Sequence, residues 1–152
     1  MLHIKIIAVG KMKAPHFKDS AGEYIKRLAP YAKVGILEVP AEPFEKGTEE
    51  KAKEKEGERI LKAVSGKESV FLLSEKGVQY SSEEFAKLLG GEKGEIVFVI
   101  GGAQGFSEKV SSAGFKKISL SKMTFPHELA RVVLLEQIYR ASAILTGKTY
   151  HY

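Results

Sequence analysis

Cysteine, tryptophan and asparagine are absent from this chain of 152 residues, and Asp19 is its one aspartate. Without cysteine there is no disulfide framework, no thiolate nucleophile and no cysteine-ligated zinc. With a single aspartate, a magnesium site built from clustered carboxylates is not expected, and no metal is assigned. Long apolar runs are missing too. None approaches the roughly 20 residues that a spanning helix needs, and the chain opens on strand-like sequence instead of a signal peptide. A cytoplasmic location with no membrane partner is expected. Abundant lysine and glutamate with few heat-labile side chains is the composition of a heat-adapted protein, which a melting temperature below about 60 °C would contradict.

What is present points to one folded domain with an anionic partner. The length suits a single domain over residues 1–152, with a full core. The net charge of +5 favours an anion, but lysine and glutamate interleave and no basic tail forms. Of the anionic partners, RNA is expected over a membrane.

The stretch Val97–Ser107 reads VFVIGGAQGFS. Val97, Phe98, Val99 and Ile100 show no polar alternation, the mark of a central parallel strand covered on both faces. Ligands of such sheets sit at the carboxyl ends of the strands, where Gly101, Gly102 and Gly105 stand. The corner is either a ligand loop or a tight strand-to-helix turn. Other strands are expected at Leu2–Gly10, Val34–Val39, Ser69–Leu73 and Phe115–Leu120. Helices are expected from Pro15 to a stop at or before Pro30, over Glu49–Val64, over Ser81–Leu89 behind a capping box, and briefly after Ser107. Glu75, Lys76 and Gly77 read as a turn, and Gly90, Gly91 and Gly94 as a loosened connection. The alternation gives an α/β fold with a mostly parallel sheet and helices on both faces.

A last helix runs from about Pro126 to Leu145, and its apolar residues cover more than one face. Either other layers of the monomer cover them, or a second copy of the chain does; the second is favoured. Glu136 and Arg140 interrupt the apolar run four residues apart, within reach of each other. They form a structural ion pair, or they line a polar site to which Arg131 and the tail Tyr150-His151-Tyr152 also belong. Three apparent motifs fail. Gly147-Lys148-Thr149 lacks the first P-loop glycine, the glycines at 101, 102 and 105 miss the dinucleotide spacing, and Arg131 replaces the second histidine of a zinc-protease helix.

IGGAQG (100–105), SLSKMTFPHELARVVLLEQIYRA (119–141) and the terminal Tyr150-His151 resemble the ribosomal RNA large-subunit methyltransferase H family, within the SPOUT class. The likeness extends to IIAVGK (6–11) and KEKEGERIL (53–61), so it spans nearly the whole chain. It implies a SPOUT fold with a C-terminal trefoil knot, over about 66–152. It further implies a homodimer that uses S-adenosylmethionine to methylate N3 of a pseudouridine in large-subunit ribosomal RNA, on assembled ribosomes. The family's cofactor contacts fall on Leu73, Gly101, and Leu120, Ser121, Lys122, Met123, Thr124 and Phe125. Arg140, Glu136 and His151 are the candidate catalytic residues: Arg140 to hold the base, Glu136 to orient it, and Glu136 or His151 to accept the N3 proton. The likeness breaks at Ala103-Gln104, where many members carry Pro-Glu, so no carboxylate is available there. Two other classes stay open: a ribosome-associated RNA-binding protein without chemistry, and a SPOUT methyltransferase of another RNA.

Overall fold

The computed structural model describes residues 1–150 and contains one five-stranded sheet whose paired strands are all parallel. In chain order the elements are β1 (Leu2–Val9), α1 (Pro15–Leu28), β2 (Ala32–Val39), α2 (Glu49–Ala63), β3 (Ser69–Gln79), α3 (Ser82–Gly91), β4 (Glu95–Ile100), α4 (Glu108–Ser111), β5 (Lys116–Ser119) and α5 (His127–Leu145). The strand order is β2-β1-β4-β3-β5. The uninterrupted apolar run of β4 thus lies at the centre, between β1 and β3. Ile96, Val97, Phe98 and Val99 are each at most 1% exposed. Burying each such side chain is worth about 1.5–3 kcal/mol, which makes β4 the most committed strand.

Because side chains alternate across a strand, each face of the sheet has its own core. Ile4, Ile6, Phe71, Ile96 and Phe98 pack with α1, α3 and α5, and the rings of Phe71 and Phe98 stack 5.6 Å apart. On the other face, Ile7, Val9, Leu72, Val97 and Val99 meet Ile60 of α2 and Val110 of α4. Helices cover both faces, as the sequence pattern predicts.

Two local expectations are corrected. Glu75-Lys76-Gly77 is not a turn that ends β3. The strand continues to Gln79, with Leu73 and Val78 both opposite Ile118, so that Ser74–Gly77 bulges out of the ladder. A Cβ on Gly77 would stand 2.6 Å from the backbone of Lys117 and Ile118, so only glycine permits that crossing. Gly90 and Gly91 do not loosen the chain but complete α3, because Gly90 packs against the side chain of Leu145. α1 stops at Leu28, two residues ahead of Pro30.

Candidate active site

The bulge of β3 and the carboxyl ends of β4 and β5 open on one cleft of about 940 Å³, which residues of α2 and α4 and the start of α5 also wall. Its apolar lining comes from Leu73, Ile100, Leu120, Phe125 and Ala130, and Gly101 contributes bare backbone. Charge enters through Glu75 and Lys76 of the β3 bulge, Lys117 of β5, and Lys53 of α2. That bulge brings side chains over the cleft that a simple turn would have carried past it.

The glycine corner is built from both sides. Gly105 has φ of +81° and donates its amide to the Gly102 carbonyl at 3.0 Å, closing a tight loop. Gly102 lies against Glu56, a buried carboxylate of α2 that accepts the Glu42 amide at 2.9 Å. A Cβ on Gly102 would approach Glu56 Oε1 to 3.0 Å. The burial of Glu56 is unforeseen in the sequence, where it looks like one more exposed charge of α2. Opposite, the loop after β5 is shaped by its own serines: Ser119 Oγ donates to the Ser121 carbonyl at 2.8 Å, and Ser121 Oγ accepts the Met123 amide at 3.0 Å.

Of the residues assigned to the cofactor, Leu73, Gly101, Leu120, Ser121, Met123, Thr124 and Phe125 line this cleft. Lys122 is exposed and is not part of the lining. Glu75, Lys76, Lys53 and His127 line it without having been singled out. The sequence signal of Glu75, Lys76 and His127 is closeness to a strand end or helix start, and that of Lys53 is its place at the head of KEKEGERIL.

The Glu136–Arg140 pair lies elsewhere. Arg140 donates to Glu136 through Nε at 3.1 Å and Nη2 at 2.9 Å, and Tyr150 donates its hydroxyl to the same carboxylate at 3.3 Å. The Arg140 guanidinium also stands 4.9 Å from the centre of the Tyr150 ring, which packs edge-on against Tyr139. The hydrogen bonds that Arg140 donates to Glu136 hold its pKa above the ordinary value. Burial, helped by the Glu136 charge, pushes the Tyr150 phenol up to about 12, so it stays a neutral donor. Glu136 and Arg140 sit 6 and 10 residues beyond Ala130, about 9 and 15 Å along the helix axis, and neither lines the cleft. His151 lies outside the described residues. Arg131 does not join this cluster. It is 4% exposed and donates to Glu38 and to the Gly10 carbonyl on the α1 side.

A family model described as "Predicted SPOUT methyltransferase" matches residues 2–151. The chain belongs to the SPOUT methyltransferase family. Among relatives of the SPOUT chain, the ribosomal RNA large subunit methyltransferase H of Lactobacillus helveticus is 48% identical over 99% of both chains. That of Pelotomaculum thermopropionicum is 44% identical over 100% of both. Two solved structures share the fold at low identity. A methylase family protein of Haemophilus influenzae has a TM-score of 0.57 at 14% identity, covering 98% of this chain and 70% of its own. A Legionella pneumophila chain solved with the bound cofactor SAM has a TM-score of 0.50 at 13% identity, covering 93% of this chain and 66% of its own.

These limits hold among the described residues, 1–150. No helix is long and apolar enough to cross a membrane, no group of three or more acidic, His or Cys side chains is placed to hold a metal, and no peptide bond is cis.

Proposed function

We propose that this SPOUT protein is a homodimeric enzyme that transfers the methyl group of S-adenosylmethionine to N3 of a pseudouridine in large-subunit ribosomal RNA, on assembled ribosomes in the cytoplasm. The observation that carries the reading is the full-length likeness to ribosomal RNA large subunit methyltransferases H, in a chain whose strand ends open on a cleft of about 940 Å³. That volume suits a nucleoside-sized ligand. The walls fit the methyl donor: Leu73, Leu120 and Phe125 would take the adenine, and the backbone of Gly101 and of the 120–125 loop its polar edge.

S-adenosylmethionine supplies an activated methyl group on a sulfonium. The protein's own part is to hold the base in line with that methyl and to help the N3 proton leave. Arg140, kept cationic by Glu136, suits the negative charge that develops on a ring nitrogen between two carbonyls. Glu136 orients Arg140, and Glu136 or His151 accepts the proton.

A homodimer accounts for two features of the single chain. Leu129, Val132 and Val133 of α5 remain half-exposed, and the Glu136–Arg140 pair stands away from the cleft of its own chain. A second copy packed on α5 would cover the first and bring the second to the partner's donor.

The test is calorimetric titration of S-adenosylmethionine into the purified protein, followed by transfer of labelled methyl to ribosomes that lack the modification. Micromolar binding and incorporation at a pseudouridine are expected. Absence of binding heat at two temperatures together with no incorporation would overturn the reading.

A further inference from the structure

The connection Gly10–Ala14, between β1 and α1, emerges at the same sheet edge as the cleft, one strand spacing of about 4.8 Å from β4. Its sequence, GKMKA, alternates. Met12 is buried, and Lys11 and Lys13 are exposed on either side. Four backbone groups of this connection are held by charged side chains from distant parts of the chain. Glu128 Oε1 accepts the amides of Lys13 at 2.8 Å and Ala14 at 3.0 Å. Arg131 Nη2 donates to the Gly10 carbonyl at 3.3 Å, and Nη1 donates to Glu38 at 2.7 Å. Glu38 in turn accepts the Met12 amide at 3.0 Å.

Glu128 and Arg131 belong to the first turns of α5, and His127 and Ala130 beside them line the cleft. One short helical segment therefore grips the lysine-bearing connection and walls the donor site. Stability alone is a poor account of the grip. A buried guanidinium costs about as much in lost hydration as its ion pair returns, and Arg131 Nε is buried with no partner among the described residues. What the arrangement does achieve is a fixed distance between two exposed cations and the cleft.

We propose that Gly10–Ala14 is an RNA-docking element, with Lys11 and Lys13 contacting phosphates of the ribosomal RNA, and that Glu128 and Arg131 are positioning residues that set those cations relative to the methyl-donor cleft. The proposal rests on the ribosomal RNA reading of the site. The two lysines are two residues apart on either side of an anchored methionine, a spacing that can span neighbouring phosphates and that would be lost in a loop free to move.

The test is a double-mutant cycle read as the dissociation constant for large ribosomal subunits without methyl donor, with methyl transfer by the wild type measured alongside. Lys11→Ala with Lys13→Ala should weaken binding about tenfold and reduce the slope of log affinity against log salt by about 2. Arg131→Met should weaken it by a similar factor, while S-adenosylmethionine affinity stays within about twofold. Added to the two lysine changes, Arg131→Met should cost less than about twofold more, because it acts through those lysines. Glu128→Ala, which leaves no charge buried, should show the same non-additivity if Arg131→Met folds poorly. A full additional factor in the lysine-less background, or lysine changes that leave affinity and salt slope untouched, would overturn the proposal. If wild-type protein binds subunits with this coupling but transfers no methyl group, the proposed function fails and the docking element stands.

Discussion

Arg140 gives two of its donors to Glu136, so replacing it removes a cation and leaves that carboxylate without its ion-pair partner. If Arg140 holds the charge developing on the base, Arg140→Ala should slow single-turnover methyl transfer by at least tenfold, about 1.4 kcal/mol of barrier. A rate within about threefold of wild type would remove it from the chemistry. Glu68 is held by the hydroxyl of Ser65 and then by the backbone amides of Ser65 and Lys67, which lowers its pKa from 4.5 to about 2. A carboxylate with a depressed folded pKa contributes stability above its unfolded pKa and loses it as pH falls through the folded value. The contribution of Glu68 is thus present above pH 4.5 and lost towards pH 2. Glu68→Gln should make the urea midpoint fall less steeply over that window; parallel curves for variant and wild type would mean that Glu68 does not set the acid limb.

At the scale of elements, a cap and a crossing decide how the layers meet. Ser81 Oγ accepts the Glu84 amide at 3.1 Å and starts α3, which delivers Phe85, Ala86 and Leu89 to the core. Ser81→Ala should lower stability by about 1 kcal/mol with an unchanged denaturant slope. A loss below about 0.3 kcal/mol would show that α3 is held by its buried face alone. This cap was legible in the sequence because its partners are three residues apart. The β3 bulge was not. Glu75-Lys76-Gly77 has turn composition, and only pairing with β5, some forty residues later, extends the strand to Gln79. The same distance hides Glu56, whose neighbour Gly102 lies in the glycine corner after β4.

At the scale of the whole molecule, α5 joins three tasks. It seals the core through Leu134, Leu135 and Ile138, walls the cleft at Ala130, and carries Glu136 and Arg140. Its remaining half-exposed apolar residues are the basis for the proposed dimer. Sedimentation velocity should give a mass twice the 16.7 kDa of one chain at micromolar concentration, and Val133→Lys should shift it towards the single-chain mass. A monomer at every concentration would require the cleft and the Glu136–Arg140 cluster to serve one chain, which their separation along α5 opposes. The pairing of β5 beside β3, with α5 returning across the sheet, is consistent with the threaded C-terminal chain of the class.

The sequence by itself determined the alternation of strands and helices, the burial of β4 on both faces, the placing of a glycine corner at a strand end, and the Glu136–Arg140 pair. Each of these is written in residues close together, where periodicity, capping and helical spacing act. The tertiary structure alone decided the strand order, the bulge that places Glu75 and Lys76 at the cleft, the burial of Glu56, and the turning of Arg131 away from Arg140 towards Glu38 and Gly10. Those depend on which distant segments become neighbours, and the cost of burying a charge is settled only when its partner has been brought to it.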